Sequence, residues 1–241
     1  MDQPVVFLDH VSTTYEGEST PTLHHVCLSV RSRDRVAIVG PNGAGKTTLL
    51  EVVNGLLPAT KGQVHVFGQS IARHGHSLRA RIAYMAQDMF FDPSTPFLAY
   101  DVVASAQYGQ IGLLRWPTRA DKARVRDALE AVDVFHLRRR PIGRLSGGQQ
   151  RKILLARALA QSASLLLLDE PTANLDPEAK IDVARIVGEV EDRLDATTLV
   201  VSHEGGPLLD DAQCLVRIEA GVITHEGPMD AYRQHLVRQA V

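Results

Sequence analysis

The chain is poor in cysteine. Cys27 and Cys214 are the only two among 241 residues, and they stand far apart, outside any CxxC spacing. They fit free, buried thiols in a reducing cytosol rather than an oxidised scaffold. Long apolar runs are missing too: nothing approaches the roughly 18 uninterrupted apolar residues of a membrane span. The opening "MDQPVVFLDH" lacks a cationic stretch before an apolar one, so no secretory leader is expected. With 26 basic and 28 acidic residues, the net charge is −2. A basic excess is therefore absent, which argues against a nucleic-acid partner. These absences describe a cytoplasmic chain that is soluble by itself. Any membrane process it serves needs a second protein to supply the membrane.

What remains is ordinary globular composition, 44% hydrophobic and 22% charged, on a chain long enough for a substantial core. The first third reads as strands: "PVVFLDHV", "HHVCLSV" and "DRVAIVG" are β-branched runs separated by the turn-like "EGESTPT" and "RSRD". "KGQVHVFGQ" and "ARIAYMAQ" add further strands. From about residue 95 to 162 the apolar spacing changes to three and four, predicting helices in "YDVVASAQ", "RADKARVRDALEAVDVF" and "QQRKILLARALAQ". Strand and helix then alternate through "SLLLLDE", "PEAKIDVARIVGEVEDRL" and "TTLVVSH". "CLVRI", "GVITHEG" and an amphipathic "MDAYRQHLVRQ" follow, with no room expected for an added regulatory domain. Alternation of this kind predicts an α/β core with a largely parallel sheet, interrupted by a helical insert.

Two stretches look built for phosphate. "GPNGAGKTT", residues 40–48, satisfies G-x-x-x-x-G-K-[ST] between a strand and a helix. Its glycines let the backbone wrap an anion, Lys46 reaches the terminal phosphates, and the Thr47 hydroxyl suits Mg2+. "RLSGGQQRK", residues 144–152, begins a second helix at the good N-cap Ser146, and two glycines leave its first N–H groups uncovered. Downstream, "LLLLDE" ends a fully apolar strand in two carboxylates, where an α/β sheet places its ligand groups. Asp169 suits the Mg2+ shell, and Glu170 suits orienting or deprotonating a water. Read alone, three residues stay open. His203 is either a γ-phosphate contact or a polar strand end, Gln87 is ambiguous, and Tyr15 is either an adenine platform or a packing residue.

Taken in order, Tyr15, "GPNGAGKTT", Gln87, "LSGGQ", "LLLLDEP", "ANLD" and His203 resemble the nucleotide-binding subunits of ABC transporters over nearly the whole chain. The resemblance implies a single domain spanning 1–241 with the P-loop NTPase fold. It carries an N-terminal antiparallel β subdomain and a helical subdomain inserted at about 88–162. It implies ATP hydrolysis with Mg2+. Tyr15 would stack on adenine; Gly40, Pro41, Asn42, Gly43, Ala44, Gly45, Lys46, Thr47 and Thr48 would hold phosphates and metal. Gln87 would sense metal and water, Asp169 support Mg2+, Glu170 act as the catalytic carboxylate, and His203 touch the γ-phosphate. In this family two such domains dock head to tail. That accounts for the second anion site: Ser146, Gly147, Gly148 and Gln149 would face the nucleotide held by a second copy, and Asp176 would link the two sites.

The segment 91–134 is similar to the helical subdomain of zinc- and manganese-type importer ATPases. The shared parts are Pro96 before "DVV", a Tyr108-Gly109 turn, and "P.RAD" at 117–121. The resemblance implies an integral membrane permease as partner, an extracytoplasmic metal-binding protein acting through it, and a peripheral position on the inner membrane face. An iron-chelate importer ATPase and a soluble ATPase that remodels a cytosolic complex are the alternatives. Three departures stand out: "QQRK" at the end of the signature "LSGGQ", which keeps positive charge at Arg151 and Lys152; Ala106 where metal-type relatives often carry glycine; and Gly205-Gly206-Pro207, which shortens the helix behind His203. "RHGHS", with His74 and His76, reads as a solvated loop rather than a metal site.

Overall fold

The computed structural model describes residues 3–87, 91–111, 115–202, 206–229 and 231. In chain order its elements are strands β1 (Val6–Thr13), β2 (Leu23–Val30) and β3 (Arg35–Val39), then helix α1 (Lys46–Asn54). Next come β4 (Lys61–Val66), β5 (Gln69–Ser70), α2 (Ile71–Arg79) and β6 (Ile82–Met85). A helical stretch follows with α3 (Ala99–Ala104), α4 (Tyr108–Ile111), α5 (Arg119–Ala131) and α6 (Gly147–Gln161). The remainder alternates β7 (Leu165–Asp169), α7 (Pro177–Leu194), β8 (Thr197–Val201), α8 (Pro207–Asp210), β9 (Cys214–Glu219) and β10 (Val222–Pro228).

Two sheets result. A four-stranded antiparallel sheet has the order β2-β1-β4-β5, and a six-stranded sheet has the order β10-β9-β3-β8-β7-β6. In the second sheet every pairing is parallel except β10 with β9. This is the α/β architecture expected from the alternating pattern. The all-apolar run of β7 shows why it forms. Leu165 and Leu167 enter the core cluster shared with β1, β2 and α1, whereas Leu166 and Leu168 enter the cluster built with α5, α6 and α7. A strand covered on both faces has no polar side to present, so its sequence is continuous rather than alternating.

A buried ion pair ties the central strand to its covering helix. Arg35 of β3 donates to both carboxylate oxygens of Glu191 in α7, and reaches the exposed Asp211 at 3.2 Å. Among the described residues no helix is long and apolar enough to cross a membrane.

Two expectations fail. Residues 73–77, read as a loop, belong to α2: Ile71 and Leu78, seven residues apart, are both buried and hold one helical face down, while Arg79 donates to the Gly55 carbonyl. The thiols are not both buried. Cys27 is exposed, because it falls on the outward phase of β2, and Cys214 is half-buried. The final amphipathic segment, apart from Met229 and Ala231, lies outside the described residues.

Candidate functional site

The 40–48 loop leaves the C-terminal end of β3 and turns into α1. Its shape requires glycine at two points. At Gly40 (φ 155°) a Cβ would sit 2.1 Å from the Ile218 carbonyl oxygen, and at Gly45 (φ 101°) one would sit 2.8 Å from the Leu23 side chain. Gly45 is also the N-cap of α1, with no side-chain cap and no acidic residue in the first turn. The opening N–H groups of α1 are thus left to bind an anion, aided by the positive end of the helix dipole.

Lys46 folds back over the loop and donates to the Gly40 and Pro41 carbonyls, each at 2.9 Å. Burial pushes its ammonium pKa down, and the carboxylates of Glu170 and Asp169 oppose that shift. Thr47 donates its hydroxyl to Asp169 Oδ2 at 2.7 Å. Asp169 ends β7 and is fully buried, so its pKa rises by desolvation, with the Thr47 bond pulling the other way. Its Oδ1 is buried and has no hydrogen-bond partner.

Glu170 follows in left-handed backbone (φ 48°), held by its N–H to the Val201 carbonyl at 3.0 Å. A non-glycine residue in that region marks a constrained position. Gln87, just past β6, donates its amide to the Glu170 carboxylate at 3.1 Å. Tyr15 donates its hydroxyl to Glu51 at 2.7 Å and lies 3.1 Å from the Thr48 hydroxyl, which fixes the ring beside α1; burial raises its pKa.

These groups converge. A cavity of about 510 Å3 is lined by Tyr15, Thr22, Asn42, Gly43, Ala44, Gly45, Lys46, Thr47, Thr48, Gln87 and Glu170. The signature residues do not line it. Ser146 caps α6 in a reciprocal capping box: its hydroxyl accepts from the Gln149 N–H, and its own N–H donates to the Gln149 side chain at 3.1 Å. Ser146 is exposed, and Gly147, Gly148 and Gln149 are half-buried beside it. Asp176 is likewise exposed and outside the cavity, capping α7 through the Ala179 N–H at 2.9 Å. His203 lies outside the described residues, as does Gly205. Gly206 and Pro207 open the four-residue α8.

Sequence reasoning missed two side chains that shape this site. Arg151 was read only as retained charge, yet it is almost completely buried and donates to the Gln87 and Ala86 carbonyls, at 3.1 and 3.4 Å. Glu51 was not singled out, although it holds Tyr15. Its one signal is its spacing from Thr48 and Thr47, three and four residues along α1, which puts it on their side of the helix.

The oxygen set around Asp169 fits a hard divalent cation: a carboxylate with one buried oxygen unpaired, beside a hydroxyl on the phosphate loop.

Comparison with known proteins identifies the family. The family profile described as ABC transporter matches residues 23–173. The zinc transport system ATP-binding protein TroB of Treponema pallidum is 34% identical over 98% of this chain and 86% of its own. The manganese transport system ATP-binding protein MntB of Bacillus subtilis is 36% identical over 83% of this chain and 77% of its own. The chelated iron transport system membrane protein YfeB of Yersinia pestis is 34% identical over 95% and 75%. Among solved structures, a nucleotide-free ATP-binding cassette from an ABC transporter superposes with a TM-score of 0.84 at 23% identity, covering 98% of this chain and 95% of that one.

Proposed function

Since the chain belongs to the ABC transporter family, as an ATP-hydrolysing subunit, we propose that it powers a membrane permease importing a divalent metal such as zinc or manganese. One observation carries the ATPase part. Lys46, the Thr47–Asp169 pair and the Gln87–Glu170 pair are gathered around a bare helix N-terminus, and the second anion-binding helix end is kept out of that cavity.

The chemistry follows from the placement. Lys46 exchanges its carbonyl partners for β- and γ-phosphate oxygens, and the loop N–H groups take the remaining charge. Thr47 and Asp169 would hold Mg2+, which would neutralise phosphate charge. Glu170, steadied by Gln87, orients a water in line with the γ-phosphorus. As the new O–P bond forms and the bond to the β-phosphate oxygen breaks, Glu170 takes a water proton, leaving ADP and phosphate. Tyr15, on the same cavity, stacks on the adenine. Ser146, Gly147, Gly148 and Gln149 act on the nucleotide of a second, head-to-tail copy, with Asp176 between the two sites.

We read about 88–162 as the helical subdomain that meets the permease on the inner membrane face. Within it Phe97, Tyr108 and Trp116 are exposed at 61%, 57% and 91% and offer apolar contact area to a partner. The names of the relatives support metal cargo. The YfeB likeness supports chelated iron as a second reading. An extracytoplasmic binding protein would deliver the cargo through the permease.

The test is a pull-down from mildly solubilised native membranes with tagged Glu170→Gln held in Mg·ATP. A polytopic membrane protein in the eluate is the expected outcome. Recovery of soluble proteins only, with the ATP-bound dimer intact, would sink the transporter reading in favour of a soluble remodelling ATPase.

A further inference from the structure

The antiparallel sheet contains a local irregularity that the nucleotide site does not use. Along β1 and β2 the register runs Leu8–Leu28, Val11–Val26, Thr13–Leu23. β1 therefore spends an extra residue at Asp9-His10, and β2 spends one at His24-His25. Two bulges of opposite strands lie side by side. Each carries a histidine in left-handed backbone, His10 and His25, both at φ 48°. The phase shift brings Asp9, His10, His25 and Cys27 out on the exposed side together.

The cluster is compact. One ligand atom from each of Asp9, His10 and Cys27 lies within 4.8 Å of the others. His10 Nδ1 is 2.8 Å from Asp9 Oδ1, the His10 N–H donates to Cys27 Sγ at 3.4 Å, and the His25 ring sits edge-on to His10 with centroids 6.4 Å apart. Among the described residues this is the single group of three or more such side chains placed to share an ion. Its donors are a thiol, an imidazole and a carboxylate, in contrast to the all-oxygen set at Asp169. Sulfur and imidazole together select a borderline-soft cation over Mg2+ or Ca2+.

We propose that Asp9, His10 and Cys27 form a surface site for a thiophilic divalent cation of the Zn2+ type, with His25 or water as the fourth ligand. The site joins β1 to β2. The segment linking these strands, 14–22, carries Tyr15 and Thr22 on the nucleotide cavity. An ion there fastens the base of the segment that presents Tyr15, without touching the phosphate loop.

The probe is Co2+ added to the nucleotide-free protein, because a cobalt–thiolate bond gives a charge-transfer band that an all-oxygen site cannot produce. One equivalent should produce the band, and Zn2+ should abolish it by competition. Cys27→Ser must remove it, and Cys214→Ser must leave it unchanged. His10→Asn, which keeps a residue tolerant of left-handed backbone, and Asp9→Asn should each weaken binding by about tenfold or more. Mg·ATP binding by each variant confirms that it is folded, and alkylating Cys27 in the folded wild type must also abolish the band. The site is overturned if no thiolate band forms, or if the band survives Cys27→Ser. It is equally overturned if binding is indifferent to both His10→Asn and Asp9→Asn, since a lone thiol then explains it.

Discussion

Asp169 holds a negative charge in a place where water cannot reach it, with one oxygen bonded to Thr47 and the other bare. Its folded pKa is raised above the ordinary 3.8, so between those two values the folded protein binds more protons than the unfolded one. Stability must then fall as pH rises through that window. Asp169→Asn removes the cost: we expect a gain of about 1 kcal/mol at neutral pH without ligand, shrinking towards zero in acid. Denaturant midpoints of both proteins across that range check it, and a pH-independent gap would contradict it. At Glu170 the expectation concerns rate. Glu170→Gln should lower phosphate release by roughly 100-fold or more while Mg·ATP binding persists; equal loss of binding would remove it from the water-orienting role. Both carboxylates were legible because a buried apolar strand ending in "DE" has few other uses beside a phosphate loop. Arg151 was not. Its part depends on reaching the Gln87 carbonyl, 64 positions away in the chain, and no local pattern records that distance.

Helix ends carry most of the next level. Ser146 and Asp176 both serve as N-caps, so any nucleotide role is superimposed on a local folding role. Ser146→Ala should cost about 1 kcal/mol in denaturant unfolding. Ser146→Arg should leave ATP binding by the monomer intact, because Lys46 and its loop are untouched. Equal loss of monomer binding would sink the assignment of the signature to a partner's nucleotide. The clamp between β3 and α7 makes a larger claim: Glu191→Ala leaves the largely buried Arg35 with only the exposed Asp211 beside it. We expect a loss of about 3 kcal/mol, read from the shift in urea midpoint; a change under about 0.5 kcal/mol would show that the pair contributes nothing. The α/β alternation was readable from hydrophobic period alone. α2 was missed because two histidines and a glycine in its middle disguise a helix that Ile71 and Leu78 secure from its ends. The paired bulges at His10 and His25 were also invisible, since strand register is decided by the neighbouring strand.

At the scale of the whole molecule, two core clusters cover the two faces of one largely parallel sheet, and the phosphate loop emerges at the C-terminal end of its interior strand β3. The cavity is lined by the phosphate loop and α1 and not by α6, and the proposed head-to-tail pair would bring a second copy's α6 to it. Glu170→Gln with Mg·ATP should therefore run as a dimer in light scattering, and as a monomer without nucleotide; a monomer in both states would refute the head-to-tail arrangement. Trp116, 91% exposed on the surface assigned to the permease, is the chain's sole tryptophan. Every photon of indole emission thus originates from that one surface. Its spectrum should shift to the blue, and its quenching by iodide should fall, when a membrane subunit docks, read as the difference from a complex made with Trp116→Phe so that the membrane subunit's own indoles cancel.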